Sequence, residues 1–80
     1  MKRILYYCDF TINIDNYDKT IYLSFFAYND EDAIHKLITK TQERIGYITK
    51  NIRNIILYKN KTEIRKFTNL EDLKQEDTKA

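Results

Sequence analysis

Proline and tryptophan are missing from this chain, and glycine, cysteine and histidine occur once each. Each shortage excludes something. With no glycine-rich loop there is no cradle of backbone amides for a phosphate, and connections must be short and built from Asn, Asp and Lys. One cysteine forbids an internal disulfide framework. The apolar strand pattern around Cys8 makes it a small buried hydrophobe suited to a reducing compartment. One cysteine and one histidine cannot furnish the usual tetrahedral zinc set. Asp30-Glu31-Asp32 lacks the alternating ligands and glycine of a calcium loop, and reads as charge at a helix start. No serine-nucleophile motif or carboxylate pair stands out. A Cys8–His35 dyad is the remaining catalytic option, and the strand pattern turns Cys8 inward. No enzyme activity, cofactor, metal or small-molecule substrate is therefore expected. No apolar run approaches the ~18 residues that a membrane span needs, and Asp9 interrupts any leader-like stretch. A cytoplasmic location without membrane contact is the expectation.

What is present is a chain of 80 residues, 42% hydrophobic, with net charge +2. That is enough apolar content for one small core. Residues 1–73 are expected to form a single α+β domain, and the polar stretch 74–80 to fray. From Ile4 to Ile14 apolar residues recur at every second position: Ile4, Tyr6, Cys8, Phe10, Ile12 and Ile14. Such alternation is the mark of a strand. Asp15 to Lys19 reads as a turn, and a second strand runs from Thr20 to about Tyr28. Pairing Ile14 with Ile21 would set Tyr7 opposite Tyr28 and Asp9 opposite Phe26. Asn29 then reads as a helix N-cap. Ile34, Leu37, Ile38, Thr41 and Ile45 form one helical stripe, and Gly46 stands where a C-terminal cap belongs.

A third strand, Ile52 to Lys59, turns at Asn60-Lys61 into a fourth, Thr62 to Phe67. Leu57 would face Ile64, Tyr58 would oppose Glu63, and Ile56 would oppose Arg65. Thr68-Asn69-Leu70-Glu71 has the form of a capping box and allows a short C-terminal helix. A right-handed return through the main helix puts strand three beside strand one. The predicted architecture is a ββαββ, four-stranded antiparallel sheet of order 2-1-3-4 with one main helix on one face. No internal repeat is evident.

The second strand is apolar or aromatic on both sides, and this is the best functional clue. A helix ~10 Å wide covers about half of a sheet whose four strands lie about 4.8 Å apart. The opposite face would carry Tyr7, Tyr22, Phe26, Tyr28 and Tyr58. Tyrosine suits an interface, with a large apolar body and a polar tip. These five are the candidate partner-binding residues, for a foreign host protein or for a second copy in a homodimer. Charge gives an alternative. Residues 50–66 hold Lys50, Arg53, Lys59, Lys61, Arg65 and Lys66 against Glu63 alone. Arg53, Lys59, Lys61, Arg65 and Lys66 are candidate electrostatic contacts, and with Tyr58 could serve a single-stranded nucleic acid.

Isoleucine and lysine are the most frequent residues and asparagine is well represented, a bias common in AT-rich genomes of low-GC bacteria and their phages. In size, composition and the junction Phe26-Ala27-Tyr28-Asn29-Asp30-Glu31-Asp32-Ala33-Ile34, the chain resembles small phage-encoded α+β inhibitors. These block host enzymes or defence systems, and anti-CRISPR proteins are among them. The resemblance implies a viral, non-catalytic protein that acts by occluding a protein partner in the host cytoplasm. It transfers no functional residues.

Overall fold

The computed structural model describes residues 2–45 and 52–79. Six elements follow one another: β1 (Ile4–Ile14), β2 (Tyr17–Ala27), α1 (Asp30–Ile45), β3 (Ile52–Lys59), β4 (Thr62–Asn69) and α2 (Leu70–Lys79). The four strands form one sheet of order β2-β1-β3-β4, with every neighbouring pair antiparallel. This is the α+β architecture that the sequence predicts. The cap expected at Gly46 and the cation Lys50 lie outside the described residues, as do the side chains of Arg44 and Ile45.

The alternation of β1 puts Tyr6, Cys8, Phe10 and Ile12 on the face beneath the helices, all essentially inaccessible. Phe25 and Ala27 join them from β2, Ile52, Ile55 and Leu57 from β3, and Phe67 from β4. Ala33, Ile34 and Leu37 descend from α1 and Leu73 from α2. Each large side chain among these contributes about 1.5–3 kcal/mol by leaving water. α2 packs against α1, β3 and β4, on the same face as α1. The polar tail that was expected to fray from Lys74 is helical through Lys79. Leu73, completely buried, anchors it.

The first hairpin is tighter than expected. Asp15 and Asn16 both take positive φ, 52° and 69°, making a two-residue turn with Ile14 directly opposite Tyr17. Such a mirror-image turn matches the twist of the flanking strands, and Asp and Asn tolerate it. Tyr7 therefore opposes Ser24 rather than Tyr28, and Asp9 opposes Tyr22 rather than Phe26. The slip is an even number of residues, so each side chain keeps its face and changes only its neighbours.

Two irregularities shape the other hairpin, whose Asn60-Lys61 turn also has both residues at positive φ. Between Asp9 and Thr11 the register to β3 shifts by one extra residue, at Asn54, whose φ is 54°. This bulge lets Ile52 as well as Ile55 and Leu57 reach the core. In β4 a second insertion leaves Leu57 opposite Arg65 and Ile56 opposite Lys66, displacing the simple pairing through Ile64 and Arg65. Tyr58 opposes Glu63 as expected.

Candidate interaction surface

Because both helices lie on one side, the other side of the sheet carries no covering element among the described residues. Its rows follow from the register. One row runs Ser24, Tyr7, Tyr58, Glu63 across all the strands, and the next Tyr22, Asp9, Ile56, Lys66. Beyond the first row lie Phe26 and Leu5, and beyond the second Thr20 and Thr11 beside Arg53. Tyr7, Tyr22 and Phe26 retain 44%, 75% and 49% of their accessible surface. Leu5, Ile56 and Tyr58 are half-buried by these neighbours.

Polar groups tie this surface together. Burial first, and then a hydrogen bond donated by its hydroxyl to Asp9, raise the Tyr58 phenol above its ordinary range. Asp9 thus sits at the centre of an aromatic patch, bonded on one side and flanked by Tyr22 on the other. At one margin Asn13 Nδ2 donates to Asp18 Oδ1 at 3.0 Å. Arg53 reaches Asp18 Oδ2 at 2.5 Å from β3. That amide bond first, and then the guanidinium, hold the Asp18 carboxyl below the usual carboxylate range. At the opposite margin the Arg3 guanidinium lies 5.2 Å above the Phe26 ring.

Of the five predicted partner-binding residues, Tyr7, Tyr22, Phe26 and Tyr58 share this face. Tyr28 does not belong to the sheet. The strand ends at Ala27, and the Tyr28 ring lies 5.5 Å from the Lys36 ammonium of α1. The predicted cations are not gathered into one groove. Lys59 pairs with Asp30 at 3.3 Å at the start of α1. Arg65 pairs with Glu76 of α2 and covers the Phe67 ring on the helical side. Arg53 is engaged by Asp18, and Lys61 occupies the hairpin turn, leaving Lys66 on the open face.

Cys8 and His35 are held apart in kind. Burial pushes the Cys8 thiol up to about 12, with the charge of Asp9 adding to it, so almost no thiolate exists near neutrality. His35 is exposed on α1 and lines a shallow depression with Arg3, Phe26, Lys36 and Thr39. No group of three or more metal-ligating side chains occurs among the described residues. Nor is any described helix long and apolar enough to cross a membrane.

The sequence reading missed the polar junction under Tyr6. The Tyr6 hydroxyl donates to Asp30 Oδ1 at 2.7 Å, joining the core of β1 to the start of α1. Its only signal was a tyrosine at a strictly buried position, which requires a partner for its hydroxyl. Ile14 and Tyr17, at the tip of the first hairpin, are also exposed, 39% and 77%. No family model matches this chain, and it matches none of the curated proteins or solved structures.

Proposed function

We propose that this chain is a non-catalytic binding protein that docks a partner protein on the open face of its sheet and acts by covering it. The supporting observation is a cluster of exposed rings, Tyr7, Tyr22 and Phe26, on a sheet face that neither helix covers. Rings of this kind, surrounded by polar groups, concentrate binding energy at protein interfaces. The charge on this face favours a protein over a nucleic acid. Arg3, Arg53 and Lys66 are balanced by Asp9, Asp18 and Glu63, and a polyanion gains little from a surface without net charge. The small size, the composition and the strand-to-helix junction support the narrower reading of a phage-type inhibitor working in a host cytoplasm.

The test uses immobilised chain in lysate of a low-GC bacterium, with bound proteins identified by mass and then purified and rebound. The expected result is a partner held by the wild type and released by Tyr7→Glu and by Phe26→Asp, while circular dichroism shows all three folded. A purified partner held equally by both variants would place docking elsewhere.

A further inference from the structure

The two outer edges of this sheet are built differently. β4 carries an inserted residue and the charges of Glu63, Arg65 and Lys66, devices that discourage an edge from pairing. β2 has none of these from Thr20 to Ala27. Its run Thr-Ile-Tyr-Leu-Ser-Phe-Phe-Ala holds no charge, proline or glycine.

The hairpin register fixes which backbone groups of that edge are free. In a two-residue hairpin the closing pair, here Ile14 and Tyr17, is hydrogen-bonded, and alternate pairs after it are too. The odd-numbered residues of β2 therefore spend their N–H and C=O on β1. Those of Thr20, Tyr22, Ser24 and Phe26 point outward. α1 seals one end of this edge. Lys36 Nζ donates to the Phe26 carbonyl at 3.2 Å, and Asp32 Oδ2 accepts from the Tyr28 N–H at 3.0 Å. From Thr20 to Ser24 no described residue supplies such a cap. Beside that stretch lies a groove of about 260 Å³ lined by Leu23, Ser24, Lys40 and Glu43, with room for side chains of an added strand.

We propose that a second copy of this chain fills this edge, pairing antiparallel along β2 about a two-fold axis at Tyr22. Tyr22 is the midpoint of the strand. In this register Tyr22 opposes itself, Thr20 opposes Ser24 of the second copy, and Ile21 opposes Leu23. Hydroxyl meets hydroxyl and apolar meets apolar, with no like charges opposed. Ile21 and Leu23, half-buried in one chain, become covered. Lys40 and Glu43, which line the groove beside Leu23 and Ser24, are paired with each other at 3.7 Å and bring no net charge to the contact. Such self-complementarity is what an isologous contact requires, and a foreign strand would match it only by coincidence. The pairing uses the sheet's edge and does not depend on the docking proposed above. It would join two open faces into one platform.

Native mass measurement, with amide exchange on the same sample, tests this. We expect a wild-type dimer in which the Thr20, Tyr22 and Ser24 amides exchange about tenfold more slowly than on dilution to monomer. Ser24→Pro removes an outward N–H that β1 does not use, and should halve the mass. Tyr7→Glu, on β1 one strand in from this edge, removes none of its outward backbone groups and should leave the dimer intact. If Ser24→Pro fails to fold, the wild-type exchange pattern decides. A wild type that stays monomeric overturns the pairing. So does a dimer with rapid exchange at these three amides, or one broken by Tyr7→Glu and not by Ser24→Pro.

Discussion

At the scale of single residues, buried polar groups separate the two faces of the sheet. Tyr6 lies wholly in the core with its ring 6.1 Å from that of Phe25, and its hydroxyl escapes only to Asp30. That bond, and then Lys59, hold the Asp30 carboxyl below its ordinary range. The Cys8 thiol meets the backbone of Leu23 instead, which offsets burial only in part. Its folded pKa lies above the unfolded value of 9.0, at about 12, so its contribution to stability is full below pH 9 and lost as pH rises through that window. We expect Cys8 to resist an aromatic disulfide reagent at neutral pH until the chain unfolds, and Cys8→Ala to show a shallower loss of stability between pH 9 and 12. Labelling of the folded chain at the rate of a free thiol would contradict its burial. The inward placement of Cys8 and Tyr6 was legible from alternation alone. The Tyr6–Asp30 bond was not, because residues 24 positions apart are brought together only by the helix crossing.

At the scale of elements, the chain uses one device twice. Asn29 Oδ1 accepts from the Asp32 N–H at 2.8 Å, while Asp32 Oδ2 accepts from the N–H of Tyr28. In α2, Asn69 Oδ1 accepts from the Asp72 N–H at 2.9 Å, while Asp72 Oδ2 accepts from the N–H of Thr68. The capping box expected on Thr68 and Glu71 is thus built one residue later, on Asn69 and Asp72. Each helix follows a hairpin closed by two residues at positive φ, so a hairpin-and-capped-helix unit occurs in each half. The sequence hides this repeat, for the halves share little beyond Asn29-Asp30-Glu31-Asp32 and Asn69-Leu70-Glu71-Asp72. We expect Asn29→Ala and Asn69→Ala each to cost about 1 kcal/mol in denaturant unfolding, against far less for Thr68→Ala. The bulge is the element least visible from periodicity. Strict alternation would turn Ile52 away from Ile55 and Leu57, and only the left-handed Asn54 restores it to the core. Asn54→Gly should be near neutral, and Asn54→Val should destabilise by about 1–2 kcal/mol. Equal stability of the two variants would remove the bulge from the account.

At the scale of the molecule, a 43 × 25 × 20 Å body puts both helices on one side of the sheet and leaves the other without a covering element among the described residues. The sequence made the bare face legible because Tyr7, Tyr22 and Phe26 alternate out of phase with the core. It misplaced Tyr28, since a strand and a helix cap compete for the same residue and the cap prevailed. The ion pairs of Arg53, Lys59 and Arg65 were not legible, because their partners lie 35, 29 and 11 positions away on other elements. Which protein the proposed docking would cover depends on that protein's surface as well as on this chain. The most direct measurement is calorimetric affinity of the purified partner for the wild type and for Tyr7→Ala/Tyr22→Ala, both checked for equal thermal unfolding. A loss of about thirtyfold or more, near 2 kcal/mol, is expected if these rings are anchors. Undiminished affinity with the fold intact would contradict docking on this face.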